Sequence, residues 1–224
     1  WVRLNSLPPI GVDPTDKFAP ISVSKGPPSA FPTNDSRIEM EIENDPGPLP
    51  KINIVVRTLD SDGGNSLSSA SGEIIADTVY HIAVVADYTN AVLMIFKNGV
   101  ELIRRVMSGM TPGNTSATNT ASGAIGSEDS GSPEQLDGYL EDERIYSRVL
   151  TPEEIQTIYE CQGIDGIVRG LEQRYELQDN ASGVLLSNST PDNSGSQPGF
   201  NAFVTAGTPR YAESIAPTFR RRLP

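Results

Sequence analysis

The chain has 224 residues, 17 of them basic and 29 acidic, which gives a formal net charge of -12 at pH 7. Such a charge repels phosphate backbones and anionic lipid headgroups, and the longest apolar runs have only the length of strands, so we expect neither nucleic acid nor a membrane as partner. The single cysteine and single histidine exclude an intrachain disulfide and a zinc site built from these two residue types alone.

The first third of the chain contains two strand patterns separated by loop-like sequence. Residues 1–4 alternate as a strand does, and the stretch that follows, up to residue 32, is rich in proline, glycine and serine. Because the chain opens inside a strand pattern and without methionine, we expect it to be a processed or excised piece. Residues 37–43 then alternate with a period of two, with glutamates on one face, which predicts a half-buried strand.

The central part of the chain predicts consecutive antiparallel strands. Apolar, strand-length segments occur at residues 52–57, 80–87, 92–97 and 100–106. Asn98-Gly99 separates the last two and is the strongest short hairpin signal known. Residues 108–132 are nearly all small or polar, so we expect only 124–126 to form a strand there.

The last strong strand pattern, at residues 137–146, is followed by one short predicted helix. Thr151-Pro152-Glu153-Glu154 is a capping box with proline at the first helical position, so the helix should run from Pro152 to about Cys161. Its apolar residues recur at three- and four-residue spacing and share one face: Ile155, Ile158 and Tyr159. This face predicts that the helix packs on an otherwise all-β body.

The order and spacing of these segments resemble laminin G-like jelly-roll domains of the concanavalin A-like lectin/glucanase superfamily. The resemblance is specific from His81 to Tyr159, through the Asn98-Gly99 hairpin and the segment from Leu136 to the capped helix. It implies an all-β fold, a concanavalin A-like jelly-roll sandwich of two antiparallel sheets with one short helix. We assign this sandwich to residues 1–165. Residues 166–224 form a C-terminal extension that either begins a second module or supplies strands to the first.

Two groups of side chains invite a catalytic interpretation. Glu39, Glu41 and Glu43 have the same-face spacing that a glycoside hydrolase strand needs, but the only tryptophan available as a sugar platform is Trp1. We therefore interpret these glutamates as structural and predict no catalytic residue. His81 could act as a general base, but the sequence contains no recognisable nucleophile for it to activate. The resemblance implies a packing role for His81.

Calcium is the candidate cofactor that the resemblance implies, since many of these sandwiches bind it through loop carboxylates. Asp60 and Asp62 precede two glycines and offer oxygen ligands in a tight turn. The turn lacks the later bidentate glutamate of a full calcium loop, so a plain turn is the alternative. We interpret residues 141–143 as surface charge and the thiol of Cys161 as buried and inert.

From these observations we expect a non-enzymatic structural or adhesive module on a virion surface or in the extracellular space, such as a capsid-decorating or fibre-associated protein. Its partners would be other protein subunits, with copies of itself forming a homo-oligomer. The lone thiol and the long Ser/Thr/Gly-rich loops favour this role. The alternative is a secreted calcium-dependent carbohydrate-binding module, with glycans as partners.

Overall fold

The alternating segments of the sequence form strands in the computed structural model of the chain. The structure describes residues 1–8, 17–25, 37–44, 49–57, 65–110, 121–126, 136–175, 185–186 and 202–203. In chain order, the elements within these residues are β1 (Val2–Leu4), β2 (Lys17–Lys25), β3 (Arg37–Glu43), β4 (Lys51–Arg57), β5 (Asn65–Ser68), β6 (Val79–Tyr80), β7 (Ile82–Asp87), β8 (Val92–Lys97), β9 (Val100–Val106), β10 (Ala121–Ile125), β11 (Gly138–Leu140), β12 (Glu143–Tyr146), α1 (Pro152–Glu160), β13 (Leu171–Tyr175), β14 (Leu185–Leu186) and β15 (Ala202–Phe203).

Five strands form the first layer, in the order β10-β2-β3-β4-β5. β3 and β4 pair antiparallel along their length, with Ile42 opposite Ile52, and both side chains are fully buried in the core, as the alternation predicts. The other face of β3 differs from the expectation of a half-buried strand. Glu39 and Glu41 are only 0% and 3% exposed, so β3 is buried on both faces.

The opposite layer consists of two three-stranded sheets, β11-β1-β6 and β7-β8-β9. The division falls at His81, the single residue between β6 and β7. Leu93 and Ile95 of β8 join Leu67 of β5 and Ile54 of β4 in the main core. The predicted all-β, antiparallel architecture is therefore confirmed, with its second layer in two parts.

Helix α1 covers the outer face of the sheet β7-β8-β9. The Thr151 hydroxyl accepts a hydrogen bond from the backbone N–H of Glu154 at 3.2 Å, and the Glu154 carboxylate accepts one from the backbone N–H of Thr151 at 2.9 Å. Ile155 and Ile158 are buried against Phe96 of β8 in a second, smaller core. The predicted capped helix is confirmed, with Glu160 as its last residue.

The Asn98-Gly99 turn joins β8 to β9, as predicted. The φ angles are 51° at Asn98 and 78° at Gly99, and two positive values are what a type I′ turn requires. A Cβ atom on Gly99 would lie 3.1 Å from Cδ1 of Tyr159 and 3.2 Å from Cα of Gln156. Glycine is thus required both for the backbone angle and for the close approach of α1 to this turn.

The segment after the helix is attached to the sandwich through β13. This strand pairs antiparallel with β12, with Glu143 opposite Tyr175, and β14 pairs with β15. Residues 171–175 therefore lie beside a strand of the region assigned to the sandwich, while the boundary at residue 165 stays a prediction. Among the described residues, no helix is long and apolar enough to cross a membrane.

Candidate functional site

Three aromatic rings from distant parts of the chain meet where the second layer divides. Trp1 precedes β1, His81 lies between β6 and β7, and Tyr159 lies in the last turn of α1. The ring centroids are 5.1 Å apart for Trp1 and His81, 5.7 Å for Trp1 and Tyr159, and 6.1 Å for His81 and Tyr159. These distances are typical of interacting aromatic pairs. We call these three residues the aromatic cluster.

His81 forms the buried base of the aromatic cluster. Its backbone N–H donates to Oδ1 of Asn98 at 3.0 Å, which ties the backbone of His81 to the β8–β9 turn. Its Nδ1 atom is buried and has no hydrogen-bond partner in the described part of the chain. Burial lowers the pKa of His81 from 6.5 to about 3, so the ring is neutral at physiological pH. These features suit a packing residue better than a general base.

A cavity of about 220 Å³ opens beside the aromatic cluster. Drug-sized ligands usually occupy pockets of about 300–1,000 Å³, so this one has the size for a single small ring. It combines two aromatic rings, an aliphatic side chain, two amides and a carboxylate, from Trp1, Val79, Asn98, Tyr159, Glu160 and Gln162. We refer to it as the pocket.

Several polar groups around the pocket are available to a ligand. Oδ1 of Asn98 accepts a hydrogen bond from the backbone N–H of His81. The Nδ2 group of Asn98 donates to no acceptor within the described residues. The Tyr159 hydroxyl likewise has no hydrogen bond to them. Glu160 uses only Oε1, which accepts a hydrogen bond from Nε2 of Gln156 at 2.7 Å. The pocket thus presents an amide donor, a hydroxyl and a carboxylate oxygen next to aromatic rings.

The glutamates of β3 are held by neighbouring side chains. Oε2 of Glu41 accepts a hydrogen bond from Nδ2 of Asn53 at 2.7 Å, and Glu43 forms an ion pair with Lys51 at 2.9 Å. The side chain of Ser68 donates to Oδ1 of Asn53 at 3.1 Å and extends this polar row. Glu39 has no exposed surface through which a substrate could reach it. This arrangement supports the structural interpretation of the three glutamates.

The metal prediction concerns Asp60 and Asp62, and these two residues lie outside the described residues. Within those residues there is no group of three or more His, Cys, Asp or Glu side chains that could hold a metal ion. Calcium binding at Asp60 and Asp62 therefore stays a prediction.

The interpretation of residues 141–143 as surface charge is wrong. Glu141, Asp142 and Glu143 are 3%, 7% and 8% exposed. Asp142 is compensated by two arginines: it accepts hydrogen bonds from Arg144 at 2.7 Å and from Arg174 at 2.6 Å. These interactions keep its pKa below the usual value, although burial alone would raise it.

Arg144 connects three segments of the chain. Besides Asp142, it donates to Oδ2 of Asp165 at 2.9 Å and to the carbonyl of Gly163 at 2.7 Å. Arg174 of β13 also donates to this carbonyl, at 3.0 Å. Asp142, Arg144, Asp165 and Arg174, which we call the Arg144 cluster, thus join β12, the turn after α1 and β13.

Cys161 is exposed, so the prediction of a buried thiol is wrong. It follows the last helical residue, at the point where the chain turns away from the helix through Gln162, whose φ is 51°. The side chain therefore lies beyond the apolar face that Ile155 and Ile158 bury.

Replacing His81 with phenylalanine is expected to remove an acid-sensitive contribution to stability. The folded protein keeps His81 neutral down to about pH 3, whereas the unfolded chain protonates it with the ordinary pKa of 6.5. Unfolding therefore takes up a proton below pH 6.5, and each pH unit from 6.5 towards 3 lowers the free energy of unfolding by about 1.4 kcal/mol. Urea unfolding of both proteins at pH 7 and pH 5 measures this difference.

The comparison isolates His81 because the chain has a single histidine. Glu143, whose pKa burial raises to about 7, changes stability in the opposite direction with pH, but it is present in both proteins. Equal losses of stability between pH 7 and pH 5 in the two proteins would contradict the prediction.

The chain is similar to known proteins in sequence pattern and in fold. A family model described as the concanavalin A-like lectin/glucanases superfamily matches residues 13–156, more than half of the chain. No curated protein matches the chain significantly in sequence. The match agrees with the jelly-roll sandwich that the sequence predicts.

Two solved structures share the fold at low identity. One is the IT-sialidase CBM40 of Ruminococcus gnavus bound to α2,3-sialyllactose, with 16% identity, a TM-score of 0.53, and coverage of 70% of this chain and 78% of that chain. The other, from Bacteroides ovatus, is described as a candidate carbohydrate-binding protein, with 16% identity and a TM-score of 0.52. The match covers 84% of this chain and 52% of the Bacteroides ovatus chain, so this chain spans about half the length of that protein.

Proposed function

The chain belongs to the concanavalin A-like lectin/glucanases superfamily, and from this membership we propose that it is a non-catalytic carbohydrate-binding module whose sugar site is the pocket. The superfamily name covers both binding and hydrolytic proteins, so the fold alone does not choose between them. The choice depends on the side chains that the fold brings together.

The observation that carries the proposal is the combination of groups around the pocket. A sugar ring has apolar C–H faces and a rim of hydroxyl groups. Tyr159 offers aromatic surface to such faces, and Trp1, which is only 7% exposed, also lines the pocket. Nδ2 of Asn98 and the Tyr159 hydroxyl can form hydrogen bonds with the hydroxyl groups of a sugar. The cavity volume of about 220 Å³ suits one sugar ring at the end or side of a glycan.

Two further observations support a binding module. The similar structures from Ruminococcus gnavus and Bacteroides ovatus are both described by carbohydrate binding. The β3 glutamates, the strongest catalytic candidates in the sequence, are engaged by Asn53 and Lys51 or lack exposed surface. A general acid or base must reach its substrate, so these contacts favour binding over hydrolysis.

A virion-surface role and homo-oligomerisation stay predictions, since they rest on the sequence features alone. We propose that the module acts outside the cell, on a virion or in the extracellular space, where glycans are accessible. Calcium bound by Asp60 and Asp62 would be a separate contribution to glycan binding, because the pocket uses other residues.

A glycan array probed with the whole chain, once with calcium and once with a chelator, tests the proposal. The glycan that binds best is then titrated into Tyr159→Phe and Asn98→Asp. The first change removes one hydroxyl, and the second removes the Nδ2 donor while keeping the oxygen that accepts from His81. We expect each to weaken binding about fivefold, since a single hydrogen bond contributes about 1 kcal/mol.

Tyr88→Phe is the matched control. Tyr88 lies in the turn after β7, at the far end of this strand from the pocket, so losing its hydroxyl should leave the affinity unchanged. Binding of no glycan under either condition would refute the proposed function. Equal affinities in Tyr159→Phe, Asn98→Asp and the control would refute the pocket as the sugar site.

A further inference from the structure

The turn after α1 forms one wall of the pocket in a strained backbone conformation. Gln162, which lines the pocket, has a φ angle of 51°, in the left-handed region that favours glycine. The N–H of Gln162 donates to the carbonyl of Tyr159 at 3.1 Å. The N–H of Gly163 donates to the carbonyl of Ile158, also at 3.1 Å, which completes a Schellman motif. A side chain at the position that usually holds glycine persists only where neighbouring contacts fix it, and such residues cluster at ligand sites.

Two arginines hold this turn through a single atom. The carbonyl of Gly163 accepts a hydrogen bond from Nη2 of Arg144 at 2.7 Å and another from Nη2 of Arg174 at 3.0 Å. Gly163 therefore joins the end of the helix, through its N–H, to the Arg144 cluster, through its carbonyl. Because Gly163 directly follows Gln162, these contacts fix the backbone on the C-terminal side of the strained residue.

Arg174 reaches the turn from outside the segment that the sequence assigns to the sandwich. It belongs to β13, which lies after residue 165. Its Nε donates to Oδ1 of Asp142 at 2.6 Å while its Nη2 donates to Gly163, so one guanidinium connects the residue before β12 with the turn after α1. Of the described residues that line the pocket, none belongs to β13. An effect of Arg174 on a ligand in the pocket therefore passes through the turn.

Resting on the proposed function, we infer that Arg174 is a positioning residue of the pocket. By holding the carbonyl of Gly163, it keeps Gln162 and the end of α1 in the arrangement that binds the sugar. The pocket has this arrangement only when β13 is paired with β12. Residues 171–175 thus belong to the binding unit, although they contribute no side chain to the pocket itself.

Acrylamide quenching of the fluorescence of the single tryptophan tests the inference without any glycan. Trp1 is only 7% exposed, and its ring centroid lies 5.7 Å from that of Tyr159 in the last turn of α1. Loosening of this end of the helix uncovers Trp1, so Arg174→Met should raise the quenching constant above that of the parent chain. Acrylamide is neutral, so the lost charge does not itself change the quenching.

The glycan that binds best on the array is then titrated into the same variant. We expect the affinity to fall about fivefold, which corresponds to about 1 kcal/mol, a typical effect of residues that act on a site through intervening contacts. Arg174→Lys is a second variant, since it keeps a positive charge beside Asp142 but has one nitrogen in place of both Nε and Nη2. It should shift both readouts in the same direction. Urea unfolding establishes that each variant is folded under the conditions of these measurements.

Glu172→Ala is the matched control, because it breaks another link of β13 to the sandwich without affecting the turn. The Glu172 carboxylate accepts a hydrogen bond from Oγ of Ser147, directly after β12, at 2.6 Å. The control should keep the quenching constant and the affinity of the parent chain. It separates positioning of the turn from a general loosening of β13.

The outcomes separate the inference from the proposed function. An unchanged quenching constant or an unchanged affinity in both folded Arg174 variants, or equal changes in Glu172→Ala, would overturn the inference while leaving the pocket as the proposed sugar site. Failure of the parent chain to bind any glycan would overturn the proposed function. The quenching measurement would then still decide whether Arg174 holds the wall of the pocket.

Discussion

Replacing Arg144 with methionine is expected to lower the free energy of unfolding by about 3–5 kcal/mol, the range seen when one partner of a buried ion pair is removed. The side chains of Arg144, Asp142 and Asp165 are only 7%, 2% and 1% exposed. Without the guanidinium, Asp165 would lose its ion-pair partner and Asp142 would keep only Arg174. Both carboxylates would then remain buried with less compensation. Urea unfolding followed by the fluorescence of the single tryptophan, Trp1, measures the loss.

Arg104→Met is the matched control for this measurement. Arg104 pairs with Glu101 at 2.7 Å, but its side chain is 52% exposed, so the pair is screened by solvent. Such surface pairs contribute little to stability, so we expect the control to unfold almost like the parent chain. Similar losses in the two variants would show that the Arg144 cluster contributes no more than a surface ion pair.

The second large effect is expected at Gly138, where alanine should destabilise the fold by about 3 kcal/mol, the upper end of the usual cost of overpacking. Gly138 pairs with Leu4 where β11 meets β1. A Cβ atom at this position would lie 2.2 Å from the carbonyl oxygen of Arg3 and 3.0 Å from Cα of Leu4. Both are backbone atoms, so relief requires the two strands to separate. The midpoint of urea unfolding reports the change.

Gly109→Ala separates this clash from the general effect of replacing glycine. A Cβ atom at Gly109 would meet only the side chain of Asn65, at 3.5 Å or more. Its effect should stay within about 1 kcal/mol, in the range that reduced freedom of the unfolded chain produces. The explanation would be wrong if both alanine variants unfolded at the same urea concentration.

Features encoded by neighbouring residues could be predicted from the sequence. The Asn98-Gly99 hairpin follows from the positive φ angles that this pair tolerates, and the start of α1 follows from the capping interaction between Thr151 and Glu154. The alternation in β3 likewise gave the correct core face, since Ile42 is fully buried. Each signal lies within a few residues, so no knowledge of the remaining chain was needed.

Burial of charged residues could not be predicted in the same way. Asp142 looks like surface charge in the sequence because one of its partners, Arg174, comes 32 residues later and reaches it only once β13 pairs with β12. Glu39 and Glu41 alternate with apolar residues as solvent-facing side chains do, yet they are buried. A period of two identifies two faces of a strand, but it does not show what covers either face.

The pocket could not be predicted from the sequence either, because its residues come from four separate parts of the chain. These parts are the start of β1 with Trp1, β6 with Val79, the β8–β9 turn with Asn98, and the end of α1 with Tyr159, and they meet only once the chain has folded. Gly99 was a partial indication of the pocket, because the absence of a Cβ atom there allows the turn to approach the helix closely. The turn and the helix were each predicted, but their contact was not.

The position of β1 has a consequence for how quickly the protein can fold. β1 lies in the middle of its sheet, with Val2 paired to Tyr80 on one side and to Leu140 on the other. Both pairings require closure of a long loop, which is entropically costly, and proteins dominated by such distant pairings fold in roughly milliseconds to seconds. Until β11 has paired with β1, β1 has only one of its two neighbouring strands, and its apolar side chains are less well covered. While β1 has only one neighbouring strand, its open edge is a site at which a partly folded chain can aggregate.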